Sequence, residues 1–302
     1  MRRRITDFAS SQAGAVSALL FGAVAIAFSP IFVRLAGTGP AAAGFWRLAL
    51  ALPALAILAW ANRRGGAAVR GPGRLTLLAG LFFALDLGFW HYGVKLTTVA
   101  NATILANLSP VAVTAAAWLL LGERPGRAFL AGLGLALLGV CAIAAARGGG
   151  AGLDPPLGDG LSITTALWYA GYLLCVRKLR AGQTTSEVML WSTAAGVPLL
   201  LAAALLLHER IIPSSAGGWA ACLGLAAAHV GGQGAIAWAL GRLPAATASV
   251  VVLVQPVLSA VLGWMIFAEA LGPLQLLGGA AALAGVVIAQ LAAARSPAGA
   301  SP

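Results

Sequence analysis

Two charged residues, Asp86 and Arg47, lie inside long apolar stretches of this sequence. Asp86 falls in the run LTLLAGLFFALDLGFWHYGVK, and Arg47 follows a Phe-Trp pair early in another apolar run. A charge within the hydrocarbon of a membrane is costly and marks a functional site by default. Asp86 could bind a proton or a substrate ammonium group. The structural alternatives are a partner for Arg47, for His91 or for a helix N-terminus.

Arg47 allows more than one interpretation. Its guanidinium could bind a substrate carboxylate, because the planar group offers two parallel donors. It could equally extend toward the outer headgroups on its apolar stem, or pair with Asp86. Asp86 and Arg47 together would suit a zwitterionic substrate.

Helical geometry separates the neighbours of Asp86. Trp90, four residues on, shares the face of Asp86. His91, five residues on, lies about 140° around the helix and on a different face. His91 and His229 are weak candidates for titration near neutral pH. For both histidines a hydrogen-bonded structural role is favoured.

Four neutral amides and one tryptophan fall at membrane depth. Buried amides need hydrogen-bond partners, so they either join helices or line a cavity. Trp168 is too deep for an interfacial belt, which favours the cavity. The predicted substrate-binding residues are Arg47, Asp86, Trp90, His91, Asn101, Asn107, Trp168, His229, Gln233 and Gln255.

The composition places these residues in a membrane protein. The chain is 60% hydrophobic and 9% charged, with mean hydropathy +0.93. A soluble domain is about one quarter charged, and a spanning helix needs about 20 apolar residues. Hydropathy predicts ten spans, at 14–34, 41–60, 75–94, 97–120, 127–146, 157–176, 186–207, 216–239, 244–267 and 273–293.

An internal repeat organises the spans. Residues 99–146 superpose on residues 245–292 at a constant offset of 146, without a gap. Matched Pro, Trp and Glu residues in one frame are hard to obtain by chance, so the sequence predicts a duplication. The matched pairs include Pro110 with Pro256, Trp118 with Trp264, Glu123 with Glu269, Gly132 with Gly278 and Gly139 with Gly285.

Weaker matches extend the repeat to the earlier helices. Trp46 and Trp191 correspond at an offset of 145, and Arg34 and Arg177 at 143. Since a unit of five helices is odd, its second copy enters the membrane from the opposite side, as in many transporters. The predicted organisation is a tail at 1–13, a first repeat at 14–146, a linker at 147–156, a second repeat at 157–293 and a tail at 294–302.

The sequence therefore predicts an all-α integral membrane fold of ten transmembrane helices in two inverted five-helix repeats. The net charge of +11 supports one orientation of this fold in the membrane. With the N-terminus inside, 14 of the 19 Lys and Arg residues fall on the cytoplasmic side and 4 outside, while Arg47 lies within a span. This bias predicts cytoplasmic N- and C-termini. The basic surplus is therefore a topology signal and does not indicate a nucleic-acid partner.

The chain resembles the EamA family of the drug/metabolite transporter superfamily over about residues 15–293. The resemblance rests on Leu121-Gly122-Glu123-Arg124 at the end of the fourth predicted helix, on Pro110, and on the tandem five-helix units. It implies ten helices and transport of small metabolites, often outward, with amino acids or their analogues as cargo. The second copy departs from the pattern, because Ala270 stands where an arginine would follow Glu269.

These patterns predict a secondary transporter in a bacterial cytoplasmic membrane. We expect export of an amino acid or related compound by alternating access, without a cofactor. The alternatives are a facilitative channel or uniporter and, less favoured, a membrane-embedded enzyme. A phosphate-binding loop of the Walker type is absent from the sequence, which argues against direct use of ATP. The expected partners are a small-molecule substrate and the bilayer, with a homodimer left open.

Overall fold

The computed structural model describes residues 12–62, 71–109, 111–112, 126–145, 152–179, 182–240 and 254–295. Within these residues every regular element is a helix. The helices are α1 (Gln12–Ala27), α2 (Ser29–Leu35), α3 (Pro40–Ala49), α4 (Leu52–Ala61), α5 (Arg74–Leu96), α6 (Val99–Ala106), α7 (Arg127–Ala145), α8 (Pro155–Leu179), α9 (Thr185–Leu206), α10 (Ala216–Ala227), a π-helical turn (Ala228–Gln233), α11 (Gly234–Leu240), α12 (Val254–Phe267) and α13 (Pro273–Arg295). Most of both predicted tails, half of the linker, Pro110, Trp118 and Glu123 lie outside the described residues.

Five stretches are long enough and apolar enough to cross a membrane. They are Ala13–Leu35, Pro40–Ala61, Arg74–Leu96, Thr185–Leu206 and Ala216–Ala239. They coincide with five of the ten predicted spans. Helices α7, α12 and α13 are shorter apolar helices. The predicted spans at 97–120 and 244–267 fall partly outside the described residues, and the full set of ten stays a prediction.

Two of these stretches are broken near prolines. The first is interrupted at Phe28, and α2 restarts with Pro30 in its first turn. The second is interrupted between α3 and α4, where Pro53 occupies the first turn of α4. Proline lacks the N–H that an interior helical position donates, so it is tolerated at such a restart.

The eighth predicted span differs from a continuous α-helix. At Ala228 its backbone enters a π-helical turn that ends at Gln233 and contains the pair Gly231-Gly232. A π-turn inserts an extra residue into a helix and is frequent at functional sites. The insertion changes the direction in which the following side chains point, and an average of hydropathy along the chain does not detect it.

The packing of the helices obeys an approximate two-fold symmetry. The offsets of the repeat pair α1 with α8, α3 with α9, α5 with α10–α11, and α7 with α13. In the part of the chain that the structure describes, most helix contacts join the two halves, and several of them come in equivalent pairs. For example, α5 packs on α8 and α1 on α11, and α5 packs on α9 and α3 on α10.

The same symmetry governs the close packing of α7 against α13. A Cβ atom at Gly132 would lie 2.7 Å from the carbonyl oxygen of Gly285, and one at Gly139 would lie 2.5 Å from that of Gly278. Gly285 is the repeat equivalent of Gly139, and Gly278 is that of Gly132. Each residue thus contacts the equivalent of the other, as at a two-fold interface. Because rising numbers on α7 meet falling numbers on α13, the two helices are antiparallel.

We predict that Gly139→Ala destabilises the protein. Its new Cβ would meet backbone atoms of α13, and overpacking of this kind costs about 1–3 kcal/mol. Gly134→Ala on the same helix is the matched control, since a Cβ there has open space and alanine favours a helix by about 1 kcal/mol over glycine. In thermal unfolding in detergent, Tm should fall for Gly139→Ala and hold or rise for Gly134→Ala. Equal Tm values for the two variants would contradict this packing.

Candidate functional site

A polar cluster lies buried where the two halves meet. We call Arg47, Asp86, Tyr169, His229 and Gln233 the central cluster. Arg47 is on α3 and Asp86 on α5, both from the first half, while Tyr169 is on α8 and the last two are in the π-helical turn. Arg47 is 3% exposed and Asp86 8%. Electrostatic interactions connect Arg47 with Asp86, Tyr169 and His229.

The two opposite charges of the central cluster do not touch. Every nitrogen–oxygen distance between Arg47 and Asp86 is longer than the 4.0 Å limit of an ion pair. Nε and Nη1 of Arg47 are buried and have no hydrogen-bond partner among the described residues. The guanidinium carbon instead lies 5.9 Å from the ring centroid of Trp90. Neither charge therefore has a charged partner in contact with it among the described residues.

The π-helical turn orients two members of the central cluster. Nε2 of His229 lies 3.0 Å from the hydroxyl of Thr193, and the imidazole stacks on Phe83 with ring centroids 5.3 Å apart. Gln233 donates from Nε2 to the Tyr169 hydroxyl at 3.4 Å. These contacts connect the turn to α5, α8 and α9.

Aromatic side chains surround the central cluster. Trp168 packs between Phe82 and Phe89, with ring centroids 6.3 Å and 5.8 Å away. Its indole Nε1 is buried and has no partner among the described residues. Tyr172, which the sequence did not single out, stacks on Phe83 at 4.8 Å. The surroundings of the charges are thus apolar and aromatic, with a free indole donor.

His91 occupies a different position from Asp86, as helical spacing predicts. It is fully buried, and its Nδ1 lies 3.0 Å from the carbonyl oxygen of Pro40. Because a carbonyl only accepts, Nδ1 is the donor. A Cβ atom at Gly44 would lie 3.3 Å from the same nitrogen. His91 therefore joins α5 to the first turn of α3.

The structure does not bring three predicted site residues into the central cluster. Asn101 lies in the first turn of α6, where its amide donates to Asp159 at 3.4 Å. Asn107 follows the last residue of α6 and donates to the carbonyl of Thr103 at 2.8 Å. Gln255 is on α12, which packs against α6, α1 and α2.

A second polar network closes one end of the bundle, which we call the Arg34 end. Here α2 and α5 finish and α6 begins. Arg34 donates from Nε to the carbonyl of Val94 at 2.8 Å and from Nη2 to that of Thr97 at 2.6 Å. Its Nη1 forms an ion pair with Glu269, which also accepts from the backbone N–H of Val99 at 2.9 Å. This ion pair supplies the partner that the sequence left unassigned for Glu269.

Further contacts at the Arg34 end involve the loop between α9 and α10. Glu209 accepts from the N–H groups of Ala41 at 3.2 Å and Ala42 at 2.8 Å, and from the hydroxyl of Tyr92. A carboxylate at this position satisfies the free donors of the first turn of α3. Lys95 also donates to the carbonyl of Thr38 at 2.7 Å. The junctions between helices are tightly connected at this end.

An apolar groove of about 470 Å³ lies apart from the central cluster, between α6, α12 and α13. Its walls include Val257, Trp264 and Leu276, which are 54%, 60% and 55% exposed. An exposed apolar face of this kind in a membrane protein meets lipid.

Comparison with known proteins identifies the family. The sequence model of the EamA-like transporter family matches the chain twice, at residues 13–145 and 156–290. The chain belongs to the EamA-like transporter family. This EamA-like transporter is a multi-pass membrane protein, and the resemblance inferred from its sequence motifs is confirmed.

Named relatives of this EamA-like transporter are exporters. The pseudopaline exporter CntI of Pseudomonas aeruginosa is 27% identical over 244 residues, which cover 78% of this chain and 81% of that protein. A probable terminal-alkyne amino-acid exporter of Streptantibioticus cattleyicolor is 30% identical over 281 residues, covering 87% and 88%. A crystal structure at 24% identity covers 93% of this chain and 98% of its own with a TM-score of 0.63, a likeness in fold alone.

We predict that Arg34→Gln opens the Arg34 end. Breaking a buried ion pair leaves Glu269 without its charged partner and costs about 3–5 kcal/mol. Cys222 is a natural reporter, because it is fully buried in a cluster with Val33 and Ala36 near this end. In a Cys141→Ser, Cys175→Ser background, N-ethylmaleimide should modify Cys222 at least about tenfold faster in the variant, a ratio equal to 1.4 kcal/mol.

The control for this experiment is Arg210→Gln, which makes the same substitution at an exposed residue of the same end. It should leave Cys222 as protected as in the parent. An unchanged modification rate in Arg34→Gln would show that the ion pair does not keep this end closed.

Proposed function

We propose that this protein is a secondary transporter that exports a small organic metabolite, an amino acid or a related compound, by alternating access. The observation that carries the proposal is the central cluster. It holds two opposite charges, both on helices of the first half, that are buried and out of contact with each other, and its remaining members come from the second half. Binding near the midplane, between two repeats, is the arrangement found in many secondary transporters.

The membrane arrangement that we propose has ten spans in two inverted units. The antiparallel packing of α7 and α13 supports inversion, because these helices are equivalent in the repeat. The positive charge bias supports cytoplasmic termini and a periplasmic Arg34 end, in the cytoplasmic membrane of a bacterium.

Alternating access follows from the two-fold symmetry. Two equivalent halves in opposite orientations can exchange conformations, and the exchange converts an inward-open state into an outward-open one. In this structure Arg34 and Glu269 connect α2, the α5–α6 junction and the α12–α13 junction. We therefore assign it to a state that is closed on the periplasmic side.

The proposed substrate has an ammonium group that Asp86 binds. The carboxylate is in an environment with few competing donors, because no hydrogen bond to it occurs among the described residues. Among the relatives, one is named for export of pseudopaline and another for a terminal-alkyne amino acid. These names support a substrate of the amino-acid type.

We predict that Asp86→Asn removes most of the flux. Purified protein in liposomes would be tested with labelled amino acids, and the variant should fall at least about tenfold, since a buried charge–ligand contact is worth more than about 1.4 kcal/mol. The matched control is Asp154→Asn. Asp154 is exposed and accepts from the N–H of Leu157 at 3.2 Å, a capping role that asparagine also fills.

Saturable flux in the wild type and in Asp154→Asn, with loss in Asp86→Asn, is the expected pattern. Flux that rises linearly with concentration would favour the channel alternative. Saturable flux that Asp86→Asn leaves intact would remove Asp86 from the transport mechanism.

A further inference from the structure

We propose that Arg47 binds a carboxylate of the substrate, so that the transported class is the free amino acid or a related carboxylate and excludes amides and simple amines. This inference rests on the proposed transport function and specifies its site. Three interpretations of Arg47 were open from the sequence. The structure distinguishes between them by burial and by contact.

The first alternative, extension to the headgroups, requires an exposed guanidinium. Arg47 is in the last turn of α3, and it is only 3% exposed. By contrast, Arg210 in the loop that follows α9 is exposed. Burial to this extent is incompatible with a side chain that reaches water at the membrane surface.

The second alternative, a structural ion pair with Asp86, requires contact. Asp86 attracts Arg47 electrostatically, yet it lies outside the ion-pair distance of 4.0 Å. The ring of Trp90, at 5.9 Å, offers a cation–π contact and accepts no conventional hydrogen bond. A buried guanidinium normally has its donors satisfied, because an unpaired buried charge costs several kcal/mol.

The free donors of Arg47 match a carboxylate. A guanidinium binds a carboxylate along one edge, through Nε and one terminal nitrogen or through both terminal nitrogens. Nε and Nη1 belong to different edges, and both lack a partner among the described residues. Whichever edge the ligand approaches, at least one buried donor is available to it.

The charges around Arg47 suit a zwitterion. Among the described residues, the groups that interact electrostatically with it are Asp86, Tyr169, His91 and His229. Asp86 is the one carboxylate among them, so one anion and one cation face each other without contact. A ligand with a carboxylate and an ammonium group would contact both, while the aromatic side chains of Phe82, Phe89 and Trp168 favour an apolar or aromatic side chain on the ligand.

Four probes that share a phenyl ring separate the groups. They are L-phenylalanine, L-phenylalaninamide, 2-phenylethylamine and 3-phenylpropionate, each measured for flux in liposomes that contain the wild-type protein. The amino acid should move at least about tenfold faster than its amide or the amine. A site built to hydrogen-bond one substrate group rejects an analogue without that group strongly.

The variants test whether Arg47 causes this preference. In Arg47→Gln the ratio of amino-acid flux to amide flux should fall about tenfold or more, and Arg47→Lys should give an intermediate ratio because it keeps the charge without the planar pair of donors. Arg210→Gln is the matched control and should retain the wild-type ratio. The ratio is independent of how much protein folds and inserts.

Each outcome decides the inference. A wild type that moves the amide or the amine as fast as the amino acid would overturn it, while the transport function would stand. An unchanged ratio in Arg47→Gln would also overturn it. If none of the four probes moves, the inference and the proposed amino-acid function both fail. If the variants do not fold, the comparison of the four probes in the wild type still decides.

Discussion

The cost of burying charge is the constraint on which the centre of this structure depends. Arg47 and Asp86 are both taken out of solvent, yet neither satisfies the other directly. In a purely structural core, selection for stability would replace such residues by apolar ones or bring them into contact. A site that must exchange its partner cannot do either. The lack of a charged partner for either residue is therefore what the proposed binding site would show without its ligand.

The two-fold symmetry explains how the charges come to lie there. Helices of the first half pack mainly on helices of the second, so the central cluster is assembled from both. The glycines of α7 and α13 let backbones approach where α7 meets α13. The Arg34–Glu269 ion pair, by contrast, connects helix ends. Close packing therefore holds α7 against α13, while a polar contact joins the helix ends at the Arg34 end.

The sequence predicted the family, the helical class and the most informative charges for definite physical reasons. Asp86 and Arg47 stand out because a charge inside an apolar stretch is rare. Repeat matches of proline, tryptophan and glutamate are informative because these residues are rare, whereas alanine matches are frequent by chance in an alanine-rich chain. The positions of five apolar stretches follow from hydropathy alone.

Other features depend on contacts that no local pattern contains. The partner of Glu269 is 235 residues away at Arg34, although the repeat match of Arg34 with Arg177 was a signal that could have singled it out. Averaged hydropathy does not distinguish the π-helical turn at Ala228–Gln233 from an α-helix. Depth in the sequence predicts Asn101, Asn107 and Gln255 near the site, but depth does not determine which neighbours a side chain contacts.

The most direct test of the central claim is the thermal stability of the ligand-free protein when both buried charges are removed. If Arg47 and Asp86 are kept for a ligand, the double variant Arg47→Met, Asp86→Leu should be at least as stable as the wild type without ligand, since apolar replacement of buried charges is often neutral or stabilising. L-Phenylalanine should then raise Tm in the wild type and leave the double variant unchanged. A double variant that unfolds at a much lower temperature, or that responds equally to the ligand, would show that the two charges serve the fold.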